Sequence, residues 1–429
     1  MLDLKQHYAM LLSLQSPWLV DSVEIVNHKS DPDQVVIRLK HKTTATSRFH
    51  CPECGQACPI ADHTPERSWR HLDTMQFQTV IVARVPRTAC SRCGDKSVKV
   101  PWAEPHGRFT LMFEAFALLV IRKAKSFTAA ADILRCSTDV IERIVEQAVE
   151  RGLARRGELK PERIGIDEKS WKSGHEGDSF VTVVTDLDGK TILSVELGKD
   201  GAAARKALDA IKPERQAEIK AVAIDLSPTF TSFVGEAMPQ ATLVHDKFHV
   251  VQLANRAVDA VRRSEIKGLK DKSGINPMKG QRFKLLKRAD RLDPQGRERL
   301  QAIFAVAKKT AKAYEFKESL ASLLSSPQTT TMVEAAVTLT EWCSKAKGCS
   351  VAQVKTLGKS IEKSSVGILN YFRERISNAP TEGLNSQIQA IIADARGFGS
   401  VESLRRRVLF KLGKLDLYPD GTPEWFWCY

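Results

Sequence analysis

Hydrophobic positions near the start of the chain come in short strand-like runs separated by turn-forming residues. Val23 to Ile25 and Val35 to Leu39 flank the run Ser30-Asp-Pro-Asp33 and predict a hairpin, and Phe77-Gln-Thr-Val-Ile-Val-Ala-Arg-Val85 predicts a further strand. From Phe109 to Arg151 the spacing becomes helical. Phe127, Ala130, Ala131 and Leu134 share one helix face, Arg135-Cys136-Ser137 interrupts, and Val140, Ile141, Ile144, Val145 and Ala148 share a second. Ser137 suits the N-cap of that second helix. Two short helices joined by three or four residues after a leading helix fit a helix-turn-helix; the alternative is a purely structural connector. Asp139, Glu142, Glu146 and Glu150 make the second helix acidic, which is awkward for insertion into a DNA groove.

Beyond residue 160 strands and helices alternate. Arg163-Ile-Gly-Ile-Asp167 begins as a strand, and Phe180 to Thr185 and Thr191 to Leu197 are strands joined by the turn Asp186-Leu-Asp-Gly189. A helix over Ala202 to Ile211, a strand Ile219 to Asp225, a helix near Thr229 to Met238 and a strand Ala241 to Asp246 complete the series. Acids therefore close the first and fourth strands. About 125 residues rich in Lys, Ala, Leu and Glu follow; that is far too long for a loop, so they predict a helical insertion. After it, Ser377 or Asn378 can cap a helix with Pro380 in its first turn, which places Glu382, Asn385 and Gln389 on one face.

The length of 429 residues suggests two to four domains, and 42% hydrophobic with 27% charged residues is the balance of a folded globular chain. The longest apolar run, Ala115 to Ile121, is too short to span a bilayer, and the N-terminus lacks the pattern of an export signal, which points to the cytoplasm and to no membrane partner. Charge changes the picture more. The chain carries a net +14, and Val251 to Leu320 holds 18 Lys/Arg against 8 Asp/Glu, so this stretch alone accounts for +10. Such a segment is either a solvated helix surface or the footprint of a polyanion. Arg262, Arg263, Lys284, Lys287, Arg288 and Arg291 are the candidate phosphate contacts there, with Arg405, Arg406 and Arg407 further on. Gly268 to Gly280 reads as a mobile loop. Trp342, Tyr371 and Phe372 can serve as stacking platforms for an unpaired base, although such aromatics are more often core.

Nine cysteines without an export signal do not suggest a disulfide framework. Cys51-Pro-Glu-Cys54-Gly and Cys90-Ser-Arg-Cys93-Gly are two knuckles 35 residues apart, and paired knuckles between strands describe a zinc ribbon with structural Zn²⁺ on Cys51, Cys54, Cys90 and Cys93. A redox pair is normally single and adjoins a helix. Cys58, His63 and His71 lie close enough to compete as ligands; Cys136, Cys343, Cys349 and Cys428 lack metal spacing.

The element order, with the strings GIDEKSW, AVAIDLSPTF, HDKFHVV and SNAPTEGLNSQI behind a zinc ribbon, resembles the bacterial DDE transposases of the ISL-three family over almost the whole chain. The resemblance implies a multidomain α/β protein: a zinc ribbon (1–105), a helix-turn-helix module (106–157), a ribonuclease H-like mixed sheet (158–250 and 376–415) interrupted by an all-helical basic insertion (251–375), and a tail (416–429). It implies Asp167, Asp225 and Glu382 as the catalytic triad. Three carboxylates suit two Mg²⁺ ions about 3.5–4 Å apart, with Mn²⁺ as a substitute, activating water or a 3′-hydroxyl for in-line phosphodiester displacement. Asp167 takes the bridging position. Asp246 and His249 match an acid-x-x-His motif of related transposases, so Asp246 competes with Asp225 for the second acid; Asn385 is a further auxiliary candidate. A Lys is expected where Gln389 stands. The implied partners are double-stranded DNA, as element ends and target, and further copies of the chain in a homodimer or larger assembly. The competing readings are a structure-specific nuclease with the same core and a non-catalytic zinc-ribbon DNA-binding protein.

Overall fold

The predicted hairpin forms: Trp18–Val26 pairs antiparallel with Gln34–His41, placing Val23 opposite Ile37. In the computed structural model the described residues are 3–27, 32–42, 48–173, 177–269, 278–325, 330–376 and 379–422. Ser30 of the hairpin turn, most of Gly268 to Gly280, the caps Ser377 and Asn378, Cys428 and the aromatic tail Trp425 to Trp427 lie outside them. The chain divides into two units, 1–155 with 415–429, and 156–414. In the first, Gln34–His41 also runs parallel to Phe77–Ala83, which pairs with Arg67–Thr74 to complete a four-stranded sheet. Its core gathers Trp18, Ile37, Trp69, Ile81 and Trp102. Three helices follow, Leu111–Lys123, Phe127–Leu134 and Thr138–Arg155, with Ala130, Leu134, Ile141, Ile144 and Ala148 buried as the spacing predicts. Arg135, in a left-handed conformation, closes the middle helix and permits the tight turn.

The second unit is built on β1 (Arg163–Ser170), β2 (Phe180–Asp186), β3 (Thr191–Leu197), β4 (Ala221–Ile224) and β5 (Thr242–His245). Their order is β3-β2-β1-β4-β5, with β2 antiparallel to β1 and β3, and with β4 and β5 parallel to β1. This is the ribonuclease H-like arrangement. Alternation along the strands divides the faces. Ile164, Ile166, Val222 and Ile224 pack with α1 (Gly201–Leu208) and α2 (Pro228–Ala237), whereas Ala221, Ala223 and Val244 join the core of the insertion.

The insertion is helical, as its composition predicts. Its first helix, α3 (Lys247–Glu265), leaves directly from the β5 edge and buries Val250, Ala254, Val258 and Val261 among α4 (Lys308–Ser325), α5 (Met332–Lys347) and α6 (Ala352–Lys363). Trp342, Tyr371 and Phe372 belong to this core at 6%, 3% and 3% exposure, so none is available to stack on a base. The Trp342 indole N–H donates to Phe316 O and Ser319 Oγ. The next helix, α7 (Ser365–Glu374), returns to β5, where Asn370 donates to Leu243 O at 2.8 Å. Gly367 permits this approach, because a Cβ there would stand 2.4 Å from His245 Cδ2 and 2.9 Å from Leu243 Cδ2. Gly367→Ala is expected to destabilise the unit by about 1–3 kcal/mol through overpacking. Urea unfolding checks this, and wild-type stability would mean the helix can withdraw without cost.

Candidate active site

The four knuckle cysteines converge. The Sγ atoms of Cys51, Cys54, Cys90 and Cys93 all lie within 4.8 Å of one another, and Cys54 and Cys90 are 3.6 Å apart. A tetrahedral Zn–S length of about 2.3 Å implies an edge of about 3.8 Å, so the cluster fits one zinc ion. Gly55 and Gly94 take φ of +72° and +73°, the backbone conformation that turns each knuckle. The backbone N–H groups of Cys93 and Arg92 pull the Cys90 thiol down to about 6, favouring the thiolate a metal requires. Neither histidine competes. His63 pairs with His41, Nε2 to Nε2 at 2.8 Å; His71 bonds Thr110 Oγ1 at 2.8 Å, and burial followed by the Arg70 charge drives its pKa to about 4. Cys58 donates to Gln56 O and stands outside the ligand group.

In the second unit, strand register assembles the acids. Ile166 lies opposite Ile224, and Ile224 opposite His245. The residues that follow, Asp167, Asp225 and Asp246, therefore occupy one row across three adjacent parallel strands. Asp225 and Asp246 stand just past the C-terminal ends of β4 and β5, where open α/β sheets bind ligands. Asp167 instead lies inside β1, which its pairing with β2 carries on to Ser170 rather than closing at the acid. Asp167 is buried; Oδ1 accepts from the Glu168 N–H at 2.8 Å and Oδ2 from Asn385 Nδ2 at 2.5 Å. Burial raises its pKa, the His249 charge opposes the rise, and the Asp225 charge adds to it. Asp225, partly exposed, accepts from the Ser227 N–H at 2.8 Å. Asp246 is buried and caps α3 through Phe248 N at 3.3 Å, while its Oδ2 meets His249 Nδ1 at 3.2 Å.

Glu382 arrives from the first turn of α8 (Ala379–Asp394). Burial, then the charge and hydrogen bond of Asp246, push its pKa up to about 7, and its Oε1 has no hydrogen-bond partner among the described residues. One turn on, Asn385 reaches Asp167, and Gln389 donates to Ser170 O at 3.1 Å, so the face predicted from their spacing clamps α8 to β1. Gln389 is thereby tied to the strand backbone. Burial lowers the His249 pKa, but the Asp246 bond and the charges of Asp167, Asp246 and Asp225 outweigh it and raise it overall. The imidazole thus sits among the acids. Glu168 was not anticipated: burial and the Asp225 charge raise its pKa, and its only sequence signal is adjacency to Asp167. Arg256 was also missed. It borders a cavity of about 690 Å³ with Asp225, His249 and Gln252, and the i, i+3, i+7 spacing of His249, Gln252 and Arg256 was the available sign.

A family model described as a transposase matches residues 164–408, more than half of the chain. This chain belongs to the ISL3 family of DDE transposases. The helix-turn-helix domain of the same family matches 98–149, and the zinc finger of the IS204/IS1001/IS1096/IS1165 transposases matches 47–93, a span containing all four clustered cysteines. The transposase for insertion sequence element IS1557 of Mycobacterium tuberculosis is 28% identical over 425 residues, covering 92% of this chain and 93% of that protein. The transposase for IS1001 of Bordetella parapertussis is 25% identical over 388 residues, covering 90% of this chain and 93% of that protein. The protein is accordingly a DNA transposase, an enzyme that binds, cleaves and transfers DNA. Among its described residues, no helix is long and apolar enough to cross a membrane.

The predicted phosphate contacts of the transposase are placed unevenly. Arg263 and Lys287 are exposed, and Lys284 is half-buried. Arg262 is held by Asp259 at 2.8 Å. Arg288 bonds Ser325 Oγ and pairs with Asp290, and it borders a cavity of about 240 Å³ with Asp246 and Glu382. Arg405 spends its Nε on Val195 O and its Nη2 on Glu196, both at 2.7 Å, fastening the final helix (Val401–Leu412) to β3. Arg406 is half-buried, and Arg407 is buried with its guanidinium over Phe398.

Proposed function

We propose that Asp167, Asp225 and Glu382 are the catalytic residues of this transposase and hold two Mg²⁺ ions, or Mn²⁺ in their place, while Cys51, Cys54, Cys90 and Cys93 hold a structural Zn²⁺. The observation that carries the reading is the row of Asp167, Asp225 and Asp246 across β1, β4 and β5 with Glu382 set beside it. All the donors are carboxylate oxygens, which suit a hard cation, and the partnerless Oε1 of Glu382 is an acceptor awaiting one. When bound, the ions supply a nucleophilic oxygen and stabilise the charge of the leaving oxygen. Asp167, on the central strand with its carboxylate fixed by Asn385, would be the acid that both ions share. Asp225 is taken as the second acid and Asp246 as the group that caps α3 and holds His249. Asp246 orients His249, whose Nε2 would meet the scissile phosphate.

In this reading residues 1–157 recognise the terminal inverted repeats of the element in the cytoplasm. Arg262, Arg263, Lys284, Lys287 and Arg288 position double-stranded DNA. Hydrolysis at an element end frees a 3′-hydroxyl that attacks target DNA. Two ends must react together, so the working form is a homodimer or larger assembly.

The test is release and rejoining of a marked segment from a plasmid carrying this element's two ends. Both should occur with Mg²⁺ and stop when Mg²⁺ is left out of the zinc-loaded protein; cleavage without joined products would favour the nuclease reading. A second outcome concerns stability. Glu382→Gln removes a repelled carboxylate, so the unfolding temperature without metal at pH 8 should rise while the gain on adding Mg²⁺ disappears. Differential scanning calorimetry measures both, and an undiminished Mg²⁺ gain would remove Glu382 from the ligand set.

A further inference from the structure

We propose that Phe248 is a stacking platform for a nucleobase beside the reacting phosphodiester, and that the cavity between Phe248 and the arginines 256, 263 and 282 receives that nucleotide. The proposal rests on the acids described above being the reacting centre. Phe248 lies two residues beyond Asp246 and directly before His249, yet it is 52% exposed, whereas Phe230, Phe233 and Phe372 of the same unit are buried. It is held in this position. Its N–H donates to Asp246 Oδ1, and its ring stands perpendicular to the His249 imidazole with centroids 5.7 Å apart.

Phe248 forms a wall shared by two cavities. One, of about 240 Å³, contains Asp246 and Glu382. The other, of about 480 Å³, is bordered by Arg256, Arg263 and Arg282 and falls in the size range of small-ligand pockets, about 300–1,000 Å³. Charge there is unbalanced. The single carboxylate of Asp259 pairs with Arg262, Arg263 and Arg282, leaving an excess of positive charge before Arg256 is counted. Arg256 also borders the cavity of Asp225 and His249, so the basic wall continues to the acids. An exposed aromatic face against a cationic wall matches the two halves of a nucleotide: the ring accepts the base, and the guanidiniums accept the phosphate. Stacking tolerates any base, so this site would hold a DNA end in place without reading its sequence.

The test uses the full-length, zinc-loaded protein and duplexes of the element's ends. 2-Aminopurine is placed in turn at each position flanking the cleavage site, with no Mg²⁺ or Mn²⁺ added so that no reaction occurs. At one position wild type should quench the fluorescence. Phe248→Trp should quench it too, and Phe248→Ala should not. With Mg²⁺, Phe248→Ala should cleave intact ends about tenfold or more slowly. That deficit should vanish on DNA made abasic at the same position, because ring and base act as a pair. Asp167→Asn should quench like wild type while cleaving nothing. Cleavage by Asp167→Asn would refute the acid assignment and leave the Phe248 result standing. The stacking proposal is overturned if no position shows Phe248-dependent quenching, or if Phe248→Ala loses as much on abasic DNA as on intact DNA.

Discussion

Asp167→Asn is expected to lower metal-dependent release of a marked segment by at least about 10³-fold, since losing metal-borne charge stabilisation costs several kcal/mol in the transition state. Folding should survive. The amide is isosteric: its oxygen can still accept from the Glu168 N–H, its NH₂ can donate to Asn385 Oδ1 once that side-chain amide turns over, and burial already disfavours the charge that is removed. Stability should therefore be unchanged or slightly higher. A residue kept only to end a strand would give the reverse pattern, a loss of stability with activity retained. Gel-shift affinity for the element ends should equal that of wild type, so the defect lies in chemistry. Wild-type release by Asp167→Asn would remove Asp167 from the catalytic set.

Zinc removal is the second large effect. The buried residues clustered around the knuckles are Cys51, Cys58 and Cys90, with Cys54 and Cys93 packed against them, so this part of the protein has sulfur where other parts have aliphatic core. Its sheets are small: Phe49–His50 with Ala57–Cys58, and Ile60–His63 with Pro86–Cys90 and Gly94–Ser97. Structural zinc contributes about 10–16 kcal/mol in comparable small modules, far more than these strands can replace. Cys51→Ser, or a chelator strong enough to extract the ion, should abolish amide-exchange protection across the two small sheets, residues 49–63 and 86–97, while Arg67–Thr74 and Phe77–Ala83 keep theirs in the four-stranded sheet. Affinity for the element ends should then fall towards the non-specific level, about 10³-fold weaker or more. Metal analysis accompanies the measurement. Undiminished end affinity in protein shown to be zinc-free would contradict the structural role.

Much of this architecture was legible because its signals are local. The two Cys-x-x-Cys knuckles specify their own geometry, and the strand-like run before Asp225 placed an acid at a strand end before any register was known, whereas β1 continues through Asp167 to Ser170 because β2 pairs with it there. The spacing of Glu382, Asn385 and Gln389 predicted a common face. It did not indicate that Asn385 grips Asp167 or that Gln389 grips Ser170, because periodicity gives a face and not its partner. Likewise, the alignment of Asp246 with Asp167 and Asp225 depends on the pairing of Ile166, Ile224 and His245, which are distant in sequence. Arg405 shows the same limit. A basic triplet on a helix reads as a phosphate contact, and only the neighbouring β3 backbone reveals a donor already engaged. Trp342 and Tyr371 were ambiguous for a related reason, since helical spacing alone does not separate a core aromatic from an exposed one. Gly367 carried no signal at all; its role exists only in the distance between α7 and β5.

Direct coordination of metal by Asp167 is the central claim, and Asp167→Cys tests it most directly. Thiolate is a poor ligand for Mg²⁺ and a better one for the softer Mn²⁺. The variant should bind element ends normally, release nothing with Mg²⁺, and regain measurable release with Mn²⁺. Equal inactivity in both ions by a folded, end-binding variant, or full activity in Mg²⁺, would contradict the account.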